Sequence, residues 1–115
     1  MSQYHEPVEF LDAKAMDISR ALNSLKEEIE AVDWYNQRVM ATKDESLKAI
    51  MAHNRDEEIE HAVMSIEWLR RNMDKWDEEL RTYLFTEGDI TELEEAAEGE
   101  EEEDTTTSLN IGDLK

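Results

Sequence analysis

The side chains able to do chemistry gather in two segments, Glu27-Glu28-Ile29-Glu30-Ala31-Val32-Asp33-Trp34-Tyr35 and His53-Asn54-Arg55-Asp56-Glu57-Glu58-Ile59-Glu60-His61. The chain has no cysteine, so disulfides, zinc ribbons and iron–sulfur clusters are excluded. Any metal must be held by carboxylates, imidazoles or backbone oxygens. Acidic helices are common, so the place of each acid on its helix face matters more than the number of acids. At about 100° per residue, Glu58 falls between Met51 and Leu69 on an apolar stripe, and His61 falls beside Ile50 and Trp68 on the same stripe. Glu28 sits next to Ala21, Val32 and Tyr35 at the margin of its own helix's apolar face, while Glu27, Glu30 and Glu60 point further out.

A carboxylate on a face that becomes buried costs several kcal/mol unless its charge is compensated. No Lys or Arg shares the stripe near Glu58, and Arg55 lies off that face. A metal cation is the natural compensator, and carboxylate plus imidazole without sulfur suits Fe, Mn or Zn. Glu58-x-x-His61 puts two such groups one turn apart on one face. Di-iron helical bundles use two Glu-x-x-His helices and two helices that give one Glu each. This chain holds one of each kind, so a two-fold dimer would supply Glu28, Glu58 and His61 twice, with the metal pair at its interface. Two other readings stand beside this one: a metal buffer with the same ligands and no turnover, and a structural helical adaptor whose acids form a solvated face. His5 and His53 read as surface histidines. Whether His53, Glu57 and Glu60 form a secondary metal position is left open.

The elements that must hold these groups are helices. At 115 residues, with one Pro, three Gly and few β-branched residues, the chain reads as all-α and has room for one small domain. Pro7 suits a helix start, and apolar positions Leu11, Ile18, Leu22, Leu25, Ile29, Val32 and Val39 predict a helix from Val8 to Ala41. Thr42-Lys43-Asp44-Glu45 breaks that pattern, with Asp44 or Ser46 able to cap the next helix. Leu47, Ile50, Met51, Met64, Trp68 and Leu69 then predict a second helix from Glu45 to Asn72. So short a connection makes the pair antiparallel neighbours. A shorter third helix is expected from Asp74 to Phe85, carrying Trp76, Leu80, Tyr83 and Leu84 and closed by Gly88. The expected architecture is an antiparallel two-helix hairpin plus this shorter helix, dimerising into a four-helix bundle. Hydrophobic residues make up 39% of the chain, which covers one face of each helix but is thin for a separate globule.

The formal net charge is −19, and 11 of the 31 acids fall between Glu87 and Asp104, where there is no Lys or Arg. This excludes a nucleic-acid binder, which needs a basic stripe, and favours cation approach. Thr91–Glu98 is expected to form at most a frayed helix, and Glu100–Asp104 is a like-charge block that resists folding. The segments are therefore read as a helical domain over 1–90, an acidic linker over 91–107 and an apolar end over 108–115. No apolar run near Met1 serves as a signal peptide and no stretch is long enough to span a bilayer, so no membrane is expected and the cytosol is the expected location.

The two acidic segments, with Glu67-Trp68-Leu69-Arg70-Arg71 and Arg81-Thr82-Tyr83-Leu84-Phe85-Thr86-Glu87, resemble the encapsulated ferritins, ferritin-like proteins carried inside encapsulin shells. The likeness covers most of residues 5–90. It implies a ferritin-like half-bundle paired into dimers that assemble as a ring-shaped decamer. It also implies a ferroxidase: a di-iron centre of Glu28, Glu58 and His61 from each of two chains oxidises Fe(II) with dioxygen for iron storage. Trp34 and Tyr35 would neighbour that centre, and Glu27 and Glu30 would line the metal's approach. Ser108–Lys115 is similar to the family's encapsulation peptide, with Leu109, Ile111 and Leu114 docking into the shell; Asp113 departs from the small residue usual there.

Overall fold

Residues 4–99 are described in the computed structural model. Pro7 leads into a single turn of 3-10 helix, Val8–Phe10, and the chain then extends at Leu11 (φ −108°, ψ 122°). The first long helix, α1, is Ala13–Ala41. Its start lies five residues beyond the Val8 expected from periodicity, and Asp12 is the reason: its carboxylate accepts the Ala15 N–H at 2.7 Å. Such a cap satisfies one of the free donors of the first turn, and it ends the preceding 3-10 turn rather than letting it merge into α1.

Thr42, Lys43 and Asp44 connect α1 to α2, Glu45–Asn72. Of the two possible caps, Asp44 takes the role: Oδ1 accepts the Leu47 N–H at 2.8 Å, while the Asp44 N–H donates to Thr42 Oγ1 at 3.2 Å. Cross-helix pairs fix the direction. Lys14 donates to Asn72 and sits 5.6 Å from the Trp68 ring, Ser65 reaches Glu28, and Arg55 donates to Asn36 at 3.0 Å. Positions climb on one helix as they fall on the other, which is an antiparallel hairpin.

The core of this hairpin is small. Leu25 and Val39 from α1 and Ala62 and Leu69 from α2 are buried, and of these Leu69 is completely so. Much of the expected apolar stripe stays open: Leu47, Ile50 and Met64 on α2 and Leu22 and Ile29 on α1 are exposed. Both helices of the pair thus carry uncovered apolar surface.

The chain divides into two compact units, Met1–Asp74 and Lys75–Lys115. The division falls inside the 1–90 segment read from the sequence as one helical domain. At the end of α2, Met73 is extended (φ −141°, ψ 111°). The third helix, α3, spans Asp74–Tyr83. It ends two residues before the expected Phe85, which instead takes a left-handed backbone (φ 59°). A helix cannot pass through that conformation, so the turn at Leu84 and Phe85 closes α3 before Gly88 (φ 93°) is reached. Residues 90–99 are helical, opened by Asp89, whose Oδ1 accepts the Thr91 N–H at 2.9 Å and the Thr91 hydroxyl at 2.7 Å. The Thr91 contacts hold the Asp89 carboxyl below its ordinary pKa. Leu109, Ile111 and Leu114 lie outside the described residues. Among the described residues there is no strand, and no helix is long and apolar enough to cross a membrane.

Candidate metal centre

Glu58 and His61 stand one turn apart on α2, with His61 Nδ1 3.8 Å from Glu58 Oε2. Glu58 is the more sheltered of the two, its side chain 27% exposed against 46% for His61. Ser65 continues the same row: seven residues after Glu58 it is displaced by only about 20° around the helix. Its hydroxyl crosses to α1 and donates to both carboxylate oxygens of Glu28, at 3.2 and 3.1 Å. A serine has one hydroxyl proton to share between them, which accounts for both distances being longer than an undivided O–H···O bond. Glu28 is therefore tied to the stripe that carries Glu58 and His61.

Several of the chain's cations are engaged elsewhere. Arg55 pairs with Asp56 at 3.1 Å and with Asn36. Arg70 and Arg71 both grip Glu67, at 2.8 and 2.7 Å, and hold its carboxyl down to about 2, with Arg70 the larger cause. Among the described residues no Lys or Arg forms an ion pair with Glu28 or Glu58. Two half-buried carboxylates on facing helices, lacking an ammonium or guanidinium partner, suit a metal cation.

His61 also faces outward. Its Nε2 is 4.0 Å from Glu57 Oε2, and Glu57 in turn lies 3.7 Å from His53 Nε2. Within one chain, Glu57, Glu60 and His61 each offer a ligand atom, all within 4.8 Å of one another, and all three residues are exposed. Glu28 and Glu58 stand outside that group. A single chain thus gathers an outer carboxylate–imidazole cluster, and it leaves Glu28, Glu58 and His61 on the hairpin face without drawing them into one coordination sphere.

The remaining candidates flank this face on α1. Glu27 and Glu30 are exposed. Tyr35 is half-buried, with the Arg38 guanidinium 5.1 Å from its ring, and Trp34 is 50% exposed in an open groove with Gln37, Arg38 and Ala41. Sequence reasoning did not single out Ser65. The available signal was its register, seven residues beyond Glu58 on the same row of α2.

An antiparallel helix pair with Glu on one helix and Glu-x-x-His on the other has the form of a ferritin-like half-bundle. The chain belongs to the EncFtn-like family, which it matches over residues 3–87. It is 67% identical over 97 residues to a ferritin-like protein of Thermotoga maritima, covering 84% of this chain and 85% of that one. It is 54% identical over 121 aligned positions to an encapsulated ferritin-like protein of Rhodospirillum rubrum, covering 96% of this chain and 86% of that protein. The crystal structure of protein ne0167 from Nitrosomonas europaea superposes with a TM-score of 0.74 at 56% identity, covering 77% of this chain and 98% of that one.

Proposed function

We propose that this protein is a ferroxidase whose centre is completed between two copies of the chain. Two Fe(II) ions, the substrate, bind where Glu28, Glu58 and His61 of one chain meet the same residues of another. In this reading Glu58, one turn from His61 on α2, bridges the two ions, and Glu28 and His61 act as terminal ligands. Each iron gives one electron to dioxygen, which takes up two protons and leaves as hydrogen peroxide, and the Fe(III) product departs for storage. The observation that carries this reading is the Ser65–Glu28 contact, because it sets a carboxylate of α1 on the Glu58–His61 row while, among the described residues, no Lys or Arg pairs with either glutamate. The uncovered aliphatic residues on the same hairpin, Leu47 and Ile50 among them, supply an apolar surface for pairing.

Around that centre, Glu27 and Glu30 guide Fe(II) inward, with Trp34 and Tyr35 beside the ligands. The name of the Rhodospirillum rubrum relative, an encapsulated ferritin-like protein, favours action inside an enclosing shell; in this reading the shell is an encapsulin compartment in the cytoplasm, reached through Leu109, Ile111 and Leu114. A hairpin of two helices encloses no mineral of its own, so a separate shell is the physically sensible store. Dimers closing into a ten-membered ring would cover the apolar surface of both helices.

The test is Fe(II) and oxygen. Wild-type protein develops ferric absorbance, and Glu58→Ala or His61→Ala slows it at least about tenfold, since losing even a hydrogen-bonding partner behind a metal ligand costs that much. Full activity in both variants would refute the site. A second reading has one observation in its favour: Glu57, Glu60 and His61 already converge in a single chain. That arrangement fits a cation buffer without turnover, and stoichiometric metal binding with no oxygen consumption would favour it.

A further inference from the structure

We infer that Ser65 is a positioning residue for Glu28, fixing the carboxylate in the orientation in which it meets metal. The inference rests on the proposal that Glu28 is a ligand, and it adds a residue that is not itself one. The geometry is specific. Ser65 is half-buried, lies on the Glu58–His61 row and spans the two helices to contact both oxygens of Glu28, at 3.2 and 3.1 Å. A glutamate side chain has three rotatable torsions, and an unrestrained one spends most of its time away from any single coordinating pose. A donor shared between both oxygens selects one carboxylate plane. It uses one lone pair on each oxygen and leaves the other free for a cation. Among the described residues Glu58 has no comparable tether, its one ion-pair neighbour there being His61, a fellow candidate ligand. Ser65 therefore acts on the one proposed ligand that comes from the other helix, whose position the hairpin must hold relative to the α2 pair.

Three substitutions separate the hydroxyl from the space it fills. Ser65→Thr keeps the donor, Ser65→Val has the shape of threonine without it, and Ser65→Ala removes it with the least added bulk. The probe is Co(II), which binds carboxylate–imidazole sites and reports its coordination through visible d–d absorption without needing oxygen. Full-length protein is titrated in each form, with circular dichroism and sedimentation confirming helix content and oligomeric state. The expected result is near-wild-type binding and spectrum for Ser65→Thr. Ser65→Val and Ser65→Ala should each bind about tenfold more weakly with a displaced d–d band, within the range found when a hydrogen-bonding partner behind a metal ligand is lost. If Val fails to fold, Ala gives the answer. Wild-type binding by the Ala variant, alongside weakened binding by Glu28→Ala, would overturn the role of Ser65 and leave the centre standing. Wild-type binding by Glu28→Ala would overturn both, since Glu28 would then not be a ligand.

Discussion

If the centre belongs to an interface, weakening the interface must weaken metal binding through mass action alone. Ile50 is the position to perturb: it lies beside His61 around α2 and is 53% exposed in the single chain. Fully burying an isoleucine side chain stabilises by about 1.5–3 kcal/mol, so covering the open half contributes about 1 kcal/mol. A two-fold interface uses the residue twice, so Ile50→Ala removes about 2 kcal/mol and raises the dimer dissociation constant about 30-fold. No proposed ligand is touched. Sedimentation velocity over a dilution series gives the dimer fraction, and Co(II) titration of the same samples gives bound metal per chain. The two should fall together as the variant is diluted, and recover together when it is concentrated. Wild-type affinity for Co(II) in a solution shown to be monomeric would refute the reasoning, because the site would then be complete in one chain.

Asp44→Ala removes the cap of α2 at the hairpin turn and should cost about 1 kcal/mol of stability, read by urea unfolding. Glu67 is held at about 2 against an ordinary 4.5 by Arg70 and then Arg71. Because its folded pKa is depressed, its contribution is complete above about pH 4.5 and fades as pH falls towards 2; Glu67→Gln should abolish that acid-dependent part of the melting profile, with only a small effect at neutral pH since the group is exposed. Deleting residues 105–115 should leave iron oxidation intact but end co-purification with a co-expressed encapsulin shell, and unchanged packaging would refute the tail's assignment.

The hairpin was legible because its signals are local and agree with one another. The 3.6-residue repeat runs through both long helices, and the break at Thr42–Asp44 is short enough to leave few topologies. The start of α1 was less legible because Val8, Leu11 and the residues after them keep a helical rhythm that Asp12 interrupts through one side-chain bond. The end of α3 depends on the left-handed backbone at Phe85, which no propensity of phenylalanine foretells. At the candidate site, face position singled out Glu28, Glu58 and His61 from a crowd of acids. Ser65 escaped notice because a serine on a helix carries no sign of a partner on a different helix, 37 residues away in sequence. The grouping of Glu57 and Glu60 with His61 was obscured for another reason: acids at i and i+3 ahead of a histidine at i+4 are what any solvated acidic helix face can contain.

Those two groupings share His61, and they make opposite claims about where metal goes. A crystal structure of the protein soaked anaerobically with Fe(II) tests the choice directly, with anomalous scattering at the iron edge locating the ions. The interface centre requires two ions on a two-fold axis or related by it, each reached by Glu28, Glu58 and His61 side chains drawn from two chains. Iron held only by Glu57, Glu60 and His61 of single chains, with the paired face empty, would contradict it.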